Sequence, residues 1–397
     1  MTSSLRTAPL AETLSRAKVA AKELGIVRVT DTTWLDCIGI PVFASIRPDS
    51  KSLCVNAGKG AYPEEARVGA YMEAIEFALA EYRNREIEII MSTPREVASQ
   101  QWADFEFVDL CPVMGVPVDP DGALACVEAE DVTTGRTLLV PAELAYHPFP
   151  ENPGQRIFGS GTNGLCSGNS IDEATVHGLC EVIERDIRSL NYFKNTSRRV
   201  NFGDPTAHIE VLRSKIVSAG LEAVIRYTPN EFELPYFDAF LLESSDDAPV
   251  ALAYGAGLHL VKNIAAVRAL SEAAQSRLTH IHGGRDDLVD RHEYFARYGR
   301  EFEKQAMSAA REQAIDSAEC IQYSAIPDAS NAAIDIDSAL GTLIETLGRR
   351  GIRQVLRVVL SQRFAPLSAV KVVVPKLEHF QPELKRVGPR LATLVNS

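Results

Sequence analysis

Three segments of this chain carry one pattern. An alanine is followed seven residues on by glutamate, and three residues later by glutamate or glutamine. The copies are Ala66–Glu73–Glu76, Ala174–Glu181–Glu184 and Ala265–Glu272–Gln275. The residues around each acidic pair are largely apolar: Met72, Ala74 and Ile75; Leu179, Val182 and Ile183; Ala269, Leu270 and Ala273. Residues three apart share one helix face. Each segment is therefore read as a helix with an acidic edge in an apolar surround. Like charges at that spacing repel by a few tenths of a kcal/mol. An apolar neighbourhood raises the cost unless a cation or an arginine compensates. One Glu-x-x-Glu is ordinary on a solvated face, because Glu is a good helix former. Three copies in one register, two of them after glycine-rich loops, point instead to a site.

Carboxylates from two helices can hold a hard divalent cation through oxygen, and Mg2+ usually shares its shell with nucleotide phosphates. A Mg2+–triphosphate site is the chemistry this pattern favours. Arg185 follows Glu184, and Arg268 lies one turn before Glu272, so either can meet phosphate or balance the carboxylates. Gly58-Lys59-Gly60 precedes the first acidic helix and lacks the GxxxxGK[ST] spacing of a P-loop. The stretch Gly161 to Asn169 precedes the second. Asn169 or Ser170 can cap that helix, and Asp172 and Glu173 fall in its first turn, where the helix dipole favours acid.

The chain has 41 Lys and Arg against 53 Asp and Glu, a formal charge of -12. Net charge therefore does not recommend it as a binder of nucleic acid backbone. No apolar run is long enough to span a bilayer, and Arg6, Glu12, Arg16 and Lys18 interrupt the start, so no secretory signal or membrane anchor is expected and the cytoplasm is the expected compartment. The seven cysteines show no CxxC spacing and read as free thiols. Periodicity predicts helices over residues 9–24, 63–85, 171–193, 263–279, 288–315 and 336–350. Strands are expected within 26–57, near 353–360 and near 369–374. The expected fold is α+β, one large domain. Residues 1–50 are read as an N-terminal helix and strands of the same fold, 51–390 as the main domain and 391–397 as a tail.

Taken together, these residues resemble the YcaO family of ATP-dependent enzymes that modify the peptide backbone. The resemblance is carried by Gly58-Lys59-Gly60 with Glu73 to Glu76, and by Ser167-Gly168-Asn169 through Glu173 to Asp186. It continues in Arg268 to Arg277, in Gly283 to Asp287, and in Val374-Pro375-Lys376-Leu377-Glu378. Residues 25–48, with Leu35-Asp36 and Gly39-Ile40-Pro41, look like members that work with a TfuA protein. The resemblance implies ATP and Mg2+ as cofactors. It places Glu73, Glu76, Glu181 and Glu184 on metal, and Asn169, Glu173, Arg185, Arg268, Glu272 and Gln275 on nucleotide. It assigns no catalytic side chain.

The implied reaction is O-phosphorylation of a backbone amide, giving a thioamide with a sulfide source and a TfuA-like partner. The alternatives are an azoline-forming cyclodehydratase acting on a ribosomally made precursor peptide, and a non-catalytic nucleotide-binding regulator. A peptide or protein substrate and a homodimer follow from the same resemblance. The chain departs from the family pattern at Gly69, Phe77, Cys166 and Val359, and it lacks the proline-rich ending of many azoline-forming members.

Overall fold

Ala66, Ala174 and Ala265 are fully buried, each at 0% exposure. Each sits early in a long helix, where only a methyl group separates helix from strand. In the computed structural model, which describes residues 4–203, 206–245, 248, 250–286, 288 and 297–396, the three helices are α2 (Pro63–Ala80), α5 (Ile171–Phe193) and α7 (Lys262–His282). The chain divides into two compact units. The first comprises Met1–Ser4, Leu10–Ala74 and Thr196–Asn331. The second comprises Leu5–Pro9, Ile75–Asn195 and Ala332–Ser397. The single expected domain is thus built from two discontinuous bodies, and α2 contributes residues 63–74 to one and 75–80 to the other.

The first unit opens with α1 (Leu10–Glu23). An antiparallel sheet follows, with strands β1 (Arg28–Asp31), β2 (Val42–Ile46) and β3 (Val55–Lys59) in that order. Its second sheet has the order β11-β10-β9-β8-β12. The strands are β8 (Arg198–Asn201), β9 (Glu222–Tyr227), β10 (Tyr236–Leu242), β11 (Leu252–Leu258) and β12 (Cys320–Gln322). Strand β10 is covered on both faces, with only Phe240 partly exposed. Phe237, Ala239 and Leu241 point into a core that also holds Ile209 of α6 (Ala207–Ser218) and Leu270 of α7. The charged stretch expected as a helix over 288–315 yields α8 (Arg300–Ile315); residues 289–296, with His292, lie outside the described residues, as does Asp287.

Helix meets strand closely in this unit at Gly58 and at Gly257. An added Cβ on Gly58 of β3 would lie 2.1 Å from the Ala66 carbonyl oxygen. On Gly257 of β11 it would lie 2.3 Å from that of Ala265. The glycine stands eight residues before the repeated alanine in both cases, so the repeat extends back into the strand. Gly69 has a packing reason too, since its own missing Cβ would sit 3.4 Å from the Gly58 Cα.

The second unit is organised on a sheet of order β4-β5-β13-β14-β7, with β6 paired to β5. The strands are β4 (Ile90–Ser92), β5 (Leu124–Asp131), β6 (Arg136–Pro141), β7 (Leu165–Gly168), β13 (Leu356–Ser361) and β14 (Ser368–Val373). Short helices α3 (Pro94–Ala98) and α4 (Ala142–Ala145) connect these strands. Helix α5 packs on β14 and β7, and carries α9 (Ile336–Gly348) and α10 (Pro389–Asn396) against it. Residues 391–397, expected as a tail, therefore begin inside a helix. Glu378 fixes its start by accepting the Gly388 and Leu391 N–H groups at 2.7 and 2.9 Å. Helix α2 stops five residues before its expected end at 85. Glu81 takes an extended backbone, and the Asn84 side chain donates to the Ala78 carbonyl at 2.7 Å, replacing a helical partner.

Candidate nucleotide and metal site

In the first unit the acidic helix edges meet backbone donors in one repeated way. The Ala57 N–H points to Glu73 Oε1 at 3.5 Å, and the Ala256 N–H to Glu272 Oε1 at 3.5 Å. Each donor precedes its close-packed glycine, so the Gly–Ala contact of the fold sets the height of each carboxylate. Lys59, from the Gly58-Lys59-Gly60 turn, forms an ion pair with Glu272 at 2.7 Å. Gln275 anchors on the Ala57 carbonyl at 3.2 Å, while its Oε1 is buried with no partner. Burial above all, and the Glu272 charge, push the Glu73 carboxyl above the usual carboxylate range, against Lys59, Arg285 and the Ala57 N–H. Arg268 is half-buried one turn before Glu272.

In the second unit Glu76 accepts both the backbone N–H and the hydroxyl of Ser167, at 2.8 and 2.6 Å. On α5, Arg185 sits 3.8 Å from both Glu181 and Glu184, so one guanidinium answers two carboxylates. The Cys166 thiol donates to Glu181 at 3.5 Å. Asn169 and Glu173 belong together. The Asn169 amide donates to Glu173, and Ser170 caps the helix by accepting the Glu173 N–H at 3.1 Å. Glu173 is wholly buried and also takes the Arg6 guanidinium at 3.0 Å and the Thr7 N–H and hydroxyl at 2.8 and 2.6 Å. Burial alone would raise its pKa. Arg6 and Thr7 outweigh that and hold it below the usual carboxylate range.

The structure therefore divides the predicted residues into two sets. Glu73, Arg268, Glu272 and Gln275 stand in the first unit; Glu76, Asn169, Glu173, Glu181, Glu184 and Arg185 stand in the second. Lys59, Ser167, Arg6 and Thr7 were not assigned from sequence. Lys59 was signalled by its place between two glycines. Arg6 and Thr7 had no signal, since they lie more than 160 residues from their partner. Arg277, within the quoted α7 motif, proves to be a brace, bonded to Asp36 at 3.2 Å and Glu243 at 2.6 Å.

Among the described residues no three His, Cys, Asp or Glu side chains converge as a metal cluster. Mg2+ needs only one or two carboxylates beside phosphate oxygens. The donor set is of that kind: hard oxygens, half-buried, with bases beside them to meet phosphate. The orphaned Gln275 Oε1 offers a hydroxyl or amino group an acceptor. The residues present fit a Mg2+–nucleotide.

Residues 57–378 match the model of the family described as YcaO cyclodehydratase, ATP- and Mg2+-binding. The chain belongs to the YcaO family. A protein of Methanothermobacter thermautotrophicus is 34% identical over 390 residues, covering 97% of this chain and 98% of its own. A Rhizobium leguminosarum bv. trifolii protein named for the tfuA 3' region is 31% identical, with 93% and 87% covered. Among solved structures, YcaO from Methanopyrus kandleri bound with AMPPCP and Mg2+ superposes at a TM-score of 0.74. Its identity is 22%, with 97% of this chain and 96% of that chain covered. A heterocyclase in complex with substrate and cofactor gives the same TM-score of 0.74 at 17% identity, covering 94% of this chain and 53% of that one. These structural matches establish the shared α+β YcaO fold. Among the described residues no helix is long and apolar enough to cross a membrane.

Proposed function

We propose that this YcaO protein activates a peptide-backbone amide by ATP-dependent O-phosphorylation and, with a sulfide source and a TfuA-like partner, forms a thioamide. The observation that carries the activation step is the twice-used arrangement of a half-buried glutamate held under a strand N–H, with Lys59 and Arg185 set against the acidic edges. Glu73, Glu76, Glu181 and Glu184 would hold Mg2+; Asn169, Glu173, Arg185, Arg268, Glu272 and Gln275 would hold ATP. Bound Mg2+ offsets the charge on the transferring phosphoryl group. Arg185 and Arg268 supply donors to phosphate oxygens, and Ser167 and the Ala57 N–H keep Glu76 and Glu73 oriented. An amide oxygen leaves poorly, and its phosphate ester leaves well. Hydrosulfide sulfur bonds to the amide carbon, and the amide oxygen takes a phosphoryl group from ATP as its phosphoanhydride bond breaks. The C–O bond then breaks to release phosphate while the S–H proton passes to solvent, leaving C=S. The relative named for the tfuA 3' region supports the TfuA-like partner. A homodimer in the cytoplasm completes this reading.

The cyclodehydratase description of the family favours a second reading, in which a Cys, Ser or Thr side chain of the peptide attacks instead and closes an azoline. Intact-mass spectrometry of peptides encoded beside the gene separates the two, with ATP, Mg2+, sulfide and the TfuA-like protein supplied. Exchange of oxygen for sulfur raises the mass, whereas loss of water lowers it. Calorimetry tests the site itself. Mg2+–ATP affinity unchanged in Glu73→Ala and Glu184→Ala would sink both enzyme readings.

A further inference from the structure

The second unit holds a partly open cavity of about 30 Å3, room for one or two water-sized particles. It lies between α5, β14, the loop before β7 and the chain that follows β14. Three bases line it: Lys371, His379 and Arg386. Lys371 is 3% exposed and His379 5%. The Lys371 ammonium donates to the Gly161 carbonyl. Arg386 spends two donors on the Cys111 and Leu110 carbonyls, at 2.8 and 2.6 Å. His379 Nδ1 and Asn163 Oδ1 are buried with no partner. The cavity has one lining carboxylate, Asp109, which already accepts the Glu106 N–H at 2.9 Å.

The three bases burden one another. Burial first, then Arg386 among other cations, drives His379 well below the usual imidazole range. Burial and Arg386 lower Lys371, with Glu181 and Cys166 opposing. Arg386 is lowered by burial, against Cys111, Glu143 and Glu378. A buried cation without a full counter-charge is costly. Glu181 answers part of the Lys371 charge, and Glu143 and Glu378 part of that on Arg386; an anion in the cavity would answer more. Its volume suits a small particle. Its remaining wall is apolar, with Leu110, Leu144 and Val182, which suits a soft, weakly hydrated anion. Glu181 is not a lining residue, yet its charge acts on Lys371, so the cavity lies within electrostatic reach of that glutamate.

We propose that this cavity binds a small monovalent anion, and that in turnover the anion is hydrosulfide, the nucleophile of the thioamide reading on which this assignment rests. The site would hold sulfide as an anion inside the unit that carries Glu181, rather than leave it to arrive from bulk water.

Crystals soaked in sodium bromide test the cavity by anomalous scattering. A bromide peak beside Lys371 and His379 is expected, lost in Lys371→Met and displaced when hydrosulfide is added. His379→Phe fills the same space by a different substitution, and should abolish the peak as well. In turnover, Lys371→Met removes a charge-assisted donor and should raise the KM for sulfide roughly tenfold or more, with the KM for ATP unchanged. Bromide absent from the wild-type cavity, or undiminished in Lys371→Met, overturns the site. Bromide that hydrosulfide fails to displace overturns the choice of anion. Bromide displaced by hydrosulfide while the peptide never gains sulfur supports the site and overturns the thioamide reading instead.

Discussion

Lys371 is where a single residue most affects stability in a way that pH exposes. Burial, followed by Arg386 and opposed by Glu181 and Cys166, brings its pKa from the ordinary 10.5 down to about 7. Between those values the unfolded chain binds a proton that the folded chain does not. Stability therefore rises with pH across that window, and the cost of the buried ammonium is fully present below pH 7. Lys371→Met should melt higher than wild type at and below pH 7, with the gap closing as pH approaches 10.5. Melting curves over a pH series check this, and a gap independent of pH would contradict it. Lys59 offers the opposite case. Its ion pair with Glu272 is partly exposed, 27% and 30% for the two side chains, and such pairs contribute about 1 kcal/mol or less. Lys59→Met should leave the Tm almost unmoved while weakening Mg2+–ATP binding, as read by calorimetry.

At the scale of elements, the repeat is a way of docking a helix on a strand. The missing Cβ of Gly58 would stand 2.0 Å from the Ala70 nitrogen and 2.1 Å from the Ala66 oxygen, both backbone atoms that cannot rotate away. Gly58→Ala must push α2 off β3 and should cost about 3 kcal/mol or more, as overpacking at a rigid contact does. Urea unfolding measures it; a loss under 1 kcal/mol would show that the helix floats more freely than this contact allows. The expected effect on ATP is larger than the fold loss alone, because Glu73 sits under the neighbouring Ala57 N–H. Helix α10 depends on Glu378, 1% exposed, whose carboxylate answers two N–H groups at its start. Glu378→Ala should free those donors at about 1–3 kcal/mol in total stability. Hydrogen exchange should show residues 389–396 losing protection before α5 does.

For the whole molecule, Mg2+ and ATP should stabilise together far more than separately, since each supplies part of the other's coordination. At a hundredfold excess over Kd, a ligand bound only by the folded state adds about 2.7 kcal/mol. Scanning calorimetry with ATP, Mg2+, both, or both plus a chelator checks this, and equal shifts from ATP with and without Mg2+ would refute it. The sequence by itself determined the acidic helices, their common register, most element positions and the YcaO membership. Those depend on 3.6-residue periodicity and on motifs a few residues long, which the order of residues fixes locally. It misjudged the end of α2, because an Asn side chain six residues away ended it, and it treated residues 391–397 as a tail because their cap, Glu378, lies outside the helix. Only the tertiary structure decided that the chain forms two compact units, each discontinuous in sequence, and that Glu173 is claimed by Arg6 and Thr7. The same holds for the gathering of Lys371, His379 and Arg386 around one cavity. Each of these joins residues far apart in the chain, and a path that long is set by the summed packing of whole elements.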